Sequence, residues 1–335
     1  MSTSATEQTT SHAAGDAPDR GPRPTLRGHI AIARVDHWVK QVFVLPGILA
    51  AVSNDTDVVS ARTLVHVVVG MASVCLVASS NYVINEVLDA PSDLSHPVKR
   101  LRPVPSGRVN VPLAYVQWLV LMAAGIGLGF AVNVRLGCTV LALWVMGCVY
   151  NIRPVRSKDV PYCDVLSESI NNPLRMLAGW FMTGTTAFAP TSLLLSYWMV
   201  GCYFMAIKRY AEYRDIGDPA RAAAYRRSFA YYTLDRLLVS IVFYASAAML
   251  FLGAFIMRYR LELVLAFPLV ALVMAVYLGL AFQTESAVIN PEKLYRERRL
   301  MASVVVCAAA MVVLMLVDIP ALDTVFKPTG LRIRG

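Results

Sequence analysis

Apolar residues run along this chain in long blocks separated by short polar, charged stretches. Nine blocks approach the length that crosses a bilayer, about 20 residues: 39–52, 64–87, 111–132, 136–150, 165–183, 192–207, 237–257, 261–282 and 301–319. The first is short and is expected to begin near Ile30 as a partly interfacial helix. The fifth is the least apolar. The pattern predicts an all-α integral membrane protein, a nine-helix transmembrane bundle. Residues 1–27 are rich in Ser, Thr, Ala, Pro and Gly and lack the apolar core of a signal peptide, so they are expected to form a disordered cytoplasmic tail. The bundle then occupies 28–320, and 321–335 forms a short C-terminal tail.

Charge orients the bundle. With the N-terminus inside, the N-terminal segment and the loops after blocks two, four, six and eight hold 23 of the 31 Lys and Arg. The opposite side holds seven, Arg62, Arg135, Arg258, Arg260, Lys327, Arg332 and Arg334, and Arg175 lies within a span. That bias predicts a multi-pass protein of the cell (inner) membrane with a cytoplasmic N-terminus and the C-terminus on the opposite side. A chain that is 57% hydrophobic and 16% charged agrees, since soluble domains carry about 25% charge. Positive-inside bias and anionic substrates account for the net charge of +9 without nucleic acid. The six cysteines form no CxxC pair and mostly fall in apolar runs, which predicts free thiols. A homo-oligomer, dimeric or trimeric, is open to such a bundle.

The polar residues that interrupt the blocks carry the chemistry. Asn81, Asn85 and Asp89 are four apart and share a helix face. Pro91 is expected to end or bend that helix, leaving Asp93 in the following loop. Glu86 adds a third carboxylate, and Lys99, Arg100, Arg102 and Arg108 follow. Carboxylates beside cations at a helix mouth suit Mg²⁺ holding a diphosphate, with Arg and Lys on the remaining oxygens. A solvated basic loop is the plain alternative.

Three later stretches repeat the theme. The loop after block four carries Tyr150, Arg153, Arg156, Lys158, Asp159 and Asp164. Block five continues with Glu168, Asn171, Asn172 and Arg175 at helical spacing, one polar stripe predicted to line a cavity or to join helices. Lys208, Arg209 and Glu212 follow block six, and Arg221, Arg226, Arg227, Ser228, Tyr231 and Tyr232 are expected to form a basic, aromatic interfacial helix. The five histidines lack ligand spacing, and only His96, inside the first motif, is a candidate. No GxSxG, P-loop or strand–helix GxGxxG occurs.

These residues resemble the UbiA-type prenyltransferase superfamily, whose first motif, Asn-Asp-x-x-Asp-x-x-x-Asp, is matched by Asn85, Glu86, Asp89 and Asp93, with Glu in place of the second residue. Within it, His96-Pro-Val-Lys99-Arg100-Leu-Arg102-Pro103, Lys208-Arg209-Tyr-Ala-Glu212, the Lys158/Asp164/Arg175 spacing and Arg34-Val-Asp-His-Trp38-Val-Lys40 resemble polyprenyl-phosphate phosphoribosyltransferases. The resemblance covers residues 30 to 320. It implies Mg²⁺-dependent transfer of 5-phosphoribose from phosphoribosyl diphosphate (PRPP) to a polyprenyl phosphate. It implies metal ligands Asn85, Glu86, Asp89 and Asp93, and catalytic residues Asp89, Asp93, Asn85, Lys158 and Asp164. Substrate contacts would come from Lys40, Asn81, Lys99, Arg100, Arg102, Tyr150, Arg153, Glu168, Arg175, Lys208, Arg209 and Glu212. A prenyltransferase acting on prenyl diphosphate, and a non-catalytic lipid-binding scaffold or transporter, are the competing readings.

Overall fold

The computed structural model describes residues 23–94, 98–284, 286–289 and 291–326. His96, most of the expected N-terminal tail and residues 327–335 of the C-terminal tail lie outside these.

All regular structure among the described residues is helical. Helix α1 (Leu26–Ile32) begins at the Thr25 cap. Arg34 then turns the chain with φ 49°, a 3₁₀ stretch follows (Val35–Val44), and α2 (Leu45–Asn54) continues it. The long helix is α3 (Ala61–Asp93), capped by Ser60; α4 (Val111–Val132) and α5 (Val134–Asn151) each start on an Asn cap. Next come α6 (Cys163–Ser169), α7 (Asn171–Met182), α8 (Thr191–Ile216), the short α9 (Pro219–Tyr225) and α10 (Leu234–Tyr259). The chain finishes with α11 (Phe267–Ala281), α12 (Arg298–Leu316) and α13 (Pro320–Phe326), the last occupying the start of the expected C-terminal tail.

Seven helical segments among the described residues are long and apolar enough to cross a membrane: 26–54, 61–93, 111–132, 134–151, 234–259, 261–281 and 298–316. Two other blocks of the expected nine, now 163–182 and 191–216, are helical but are not among the seven. The chain is a multi-pass membrane protein. Its apolar core has two main parts, one joining α2, α3, α5, α7, α10 and α12, the other joining α6, α8, α10 and α11. Lipid offers no hydrophobic drive between helices, so close backbone approach matters. At α2 against α7 it is extreme: a Cβ on Gly47 would lie 1.8 Å from the Met176 carbonyl oxygen, and one on Gly179 2.1 Å from that of Val44.

Three sequence expectations are corrected. Helix α3 does not end at Pro91 but runs to Asp93, which is its last residue. Only two residues follow the proline, so the missing N–H costs one bond near an end that would fray anyway. The block-five stripe is not one helix. It breaks at Ile170, because Pro173 cannot donate to the Ser169 carbonyl one turn back. Residues 219–232 form α9 and a separate 3₁₀ turn (Arg227–Ala230) rather than a single interfacial helix.

Candidate active site

The topology brings the C-terminal ends of α3, α5 and α8 to the same end of the bundle as the start of α6. Between them lies a cavity of about 630 Å³, closed on its sides by the 35–44 segment, α7, the 98–102 loop and α9. Nine cationic side chains and three carboxylates line it, Asp89, Glu168 and Glu212. Such a cleft with low-dielectric walls focuses positive potential and draws in anions.

Helix α3 supplies one wall through Asn81, Tyr82, Asn85 and Asp89. At 3.6 residues per turn, each four-residue step rotates about 40° around the axis. Asp93 therefore points roughly 120° away from Asn81, and Glu86 roughly 140°. Both leave the cavity wall and hold the 99–108 loop instead. Asp93 accepts from Arg102 Nη1 at 2.8 Å, and Glu86, 3% exposed, accepts from the Val104 amide at 3.1 Å.

Asp89 is the charged centre of this wall. Its Oδ1 accepts from Lys158 Nζ at 2.6 Å and Arg156 Nη2 at 2.9 Å. Lys158 Nζ also donates to Asn151 Oδ1 at 2.9 Å, and Asn85 Nδ2 donates to the same oxygen at 2.5 Å. Burial pulls the Lys158 ammonium below the usual lysine value, while Asp89 pulls it back up. Gly147 makes room here. A Cβ would sit 2.2 Å from Asn81 Cγ, so glycine is what lets the Asn81 amide pack against α5 and donate to Leu143 O.

The opposite wall comes from α6–α8. Arg175 Nε donates to Gln41 Oε1 at 3.0 Å, tying α7 to the 35–44 segment, which Trp38 Nε1 anchors to Ser79 Oγ at 2.9 Å. Glu212 accepts from Arg209 Nη1 at 2.8 Å and has Lys208 Nζ at 4.0 Å. Lys99 Nζ donates to Tyr225 Oη at 3.2 Å, so the 98–102 loop and α9 meet at the rim.

Of the residues singled out in the sequence, Lys40, Asn81, Asn85, Asp89, Lys99, Arg102, Tyr150, Lys158, Glu168, Arg175, Lys208, Arg209 and Glu212 line one cavity. Glu86, Asp93, Arg100, Arg153 and Asp164 are not in its lining. Asp164 is fully buried and engaged with Arg209, Arg226, Ser228 and Tyr232. Arg34, His37, Tyr82, Asn151, Tyr225 and Arg226 join the lining without having been among the candidate site residues.

No trio of His, Cys, Asp or Glu converges as a metal cluster among the described residues. On the α3 wall the oxygen donors are the Asp89 carboxylate and the amides of Asn81 and Asn85, the nitrogen of Asn85 being committed to Asn151. Mg²⁺ usually takes one or two carboxylates plus substrate phosphates and keeps several waters, so this donor set fits it.

Residues 42–295 match the UbiA prenyltransferase family. Decaprenyl-phosphate phosphoribosyltransferase of Corynebacterium glutamicum is 33% identical over 202 residues, 57% of this chain and 56% of that protein. The Mycobacterium tuberculosis protein of the same name is 29% identical over 239 residues, 71% of this chain and 76% of that one. The chain thus spans little more than half the length of the Corynebacterium relative. The structure of a UbiA homolog from Archaeoglobus fulgidus bound to DMAPP and Mg²⁺ superposes with TM-score 0.66 at 18% identity, covering 87% of this chain and 100% of that one, a likeness of fold.

Proposed function

We propose, from the premise that the chain belongs to the UbiA prenyltransferase family, that it transfers 5-phosphoribose from PRPP to a polyprenyl phosphate, with Mg²⁺, at the cytoplasmic face of the inner membrane. In this reading α6–α7 and α8 complete a nine-span bundle, residues 1–27 and 321–335 are tails, and the N-terminus is cytoplasmic.

The observation that carries the proposal is the charge of the cavity. Nine cations line it against three carboxylates, and with Asp36, Asp93 and Asp164, which pair with lining arginines from outside, an excess of three remains. A prenyltransferase with an uncharged acceptor must neutralise one diphosphate. A phosphoribosyl donor brings a diphosphate and a 5-phosphate, and a lipid phosphate acceptor brings a third anion. The names of the curated relatives support the same choice.

Asp89 and Asn85 would hold Mg²⁺, which when bound stabilises charge building on the departing diphosphate. Lys99, Lys208 and Arg209 neutralise donor phosphate oxygens, and Lys158 and Arg175 hold either substrate. As the bond from ribose C1 to the diphosphate oxygen breaks, positive charge grows on the sugar. An acceptor phosphate oxygen bonds to C1, and diphosphate leaves with the electron pair. The acceptor is already anionic at neutral pH, so no strong general base is required. The protein's part is then to orient two anions that would otherwise repel each other.

The test is transfer of label from ribose-labelled PRPP into the lipid fraction of membranes containing the protein, polyprenyl phosphate and Mg²⁺. Label in the lipid supports the assignment. Unlabelled lipid together with turnover of a prenyl diphosphate rejects it in favour of prenyl transfer.

A further inference from the structure

We infer that Asp164 is a positioning residue, which never meets substrate but fixes Arg209 and Arg226 so that both present N–H groups to the donor's diphosphate. The inference rests on the proposed function for the identity of that donor.

Asp164 is in the first turn of α6 and is fully buried, outside the cavity lining. Its Oδ2 accepts from Arg209 Nε at 3.1 Å, Arg226 Nη1 at 3.3 Å and Ser228 Oγ at 3.2 Å; its Oδ1 accepts from Tyr232 Oη at 2.6 Å. Arg209 and Arg226 come from α8 and from the turn after α9, and both line the cavity. Two guanidiniums repel each other, and one buried carboxylate between them is what holds them side by side. Each spends one donor on Asp164, and Arg209 spends another on Glu212. A guanidinium has five N–H donors, so both retain donors for a phosphate.

The Tyr232 phenol closes the arrangement. It accepts from the Tyr162 amide at 2.6 Å while donating to Asp164. Burial first, then the adjacent carboxylate, raise it above the usual tyrosine value, so it stays a donor. Tyr162 itself has φ 63° and ψ −38°, a positive-φ backbone that a non-glycine residue adopts at a cost. The chain bears that cost directly before α6, where it sets the carboxylate.

The experiment compares wild type, Asp164→Asn, Arg226→Gln, the double variant and Tyr232→Phe. Affinity for inorganic diphosphate with Mg²⁺ is measured by titration calorimetry, and kinetics by PRPP transfer. Asp164→Asn should weaken diphosphate binding and raise the PRPP KM at least tenfold, with the acceptor KM within twofold. The double variant should be no worse than the poorer single one. A purely structural role would instead lower kcat through loss of active protein and leave both KM values unchanged, which overturns the inference, as does multiplication of the two single effects. If Asp164→Asn does not fold, Tyr232→Phe decides: a two- to fivefold weakening of diphosphate binding supports the role, and unchanged binding overturns it. Wild type that binds diphosphate but does not turn over PRPP would remove the proposed donor, while the binding comparison still decides the role of Asp164.

Discussion

Replacing Asp89 by Asn separates the one α3 carboxylate that lines the cavity from the two, Glu86 and Asp93, that do not. The substitution keeps size and one acceptor oxygen and removes the charge. Lys158 and Arg156, at 2.6 and 2.9 Å, lose their shared anion. Their side chains are only 7% and 17% exposed, so water replaces it poorly. Leaving such groups short of a partner costs about 1–3 kcal/mol of stability. The catalytic loss is separate: weakening the hold on the Mg²⁺ that would offset charge on the departing diphosphate should lower kcat by about 10²–10³. The assay is PRPP-to-lipid transfer in detergent, with thermal unfolding followed in parallel so that the two costs are read independently. Asp93→Asn is the control, because Asp93 is outside the cavity lining and reaches it only through Arg102, and it should lose less than tenfold. Asp89→Asn retaining more than a tenth of wild-type kcat while Asp93→Asn is inactive would refute the assignment of Asp89.

Three further outcomes follow from the same geometry. Glu86→Gln keeps an acceptor for the Val104 amide and should change transfer less than threefold, whereas Glu86→Ala should lower stability by about 1–3 kcal/mol; unfolding curves and steady-state rates check both. Gly147→Ala places a methyl into the Asn81 amide and should lower stability by about 1–3 kcal/mol and raise the PRPP KM, read by melting and kinetics. Because the Lys158 pKa is lowered, its charge is lost at a lower pH than that of an ordinary lysine. The kcat/KM profile should therefore fall early on the alkaline side, and Lys158→Arg, which stays charged, should move that limb upward.

The helical layout was largely legible because apolar blocks and polar interruptions report it directly. So was the cavity face of α3: Asn81, Asn85 and Asp89 differ by only two four-residue steps, too few for the helical drift to separate them. Asp93, which Pro91 suggests is in a loop, is instead the last residue of α3 and lies one step further round the helix, and a consecutive pair such as Asn85 and Glu86 cannot share a face. Asp164 is hidden for another reason. Its partners lie 45, 62, 64 and 68 residues away, and no spacing rule reaches across such separations. Arg226 carried a weak signal, being a basic residue beside aromatic ones at a helix end. Asn151 and Tyr225 carried none, since an amide or a phenol at a membrane helix terminus is ordinary. Pro173 was the unread sign that block five would break.

The most direct measurement is a cryo-EM map of the protein with PRPP and Mg²⁺ under conditions that block turnover. The account predicts a cation about 2.1 Å from the Asp89 carboxylate, with the donor diphosphate beside it and facing Arg209 and Lys208. A diphosphate bound outside the cavity, or a cation held by Asp93 and Glu86 with Asp89 still paired to Lys158, would contradict it.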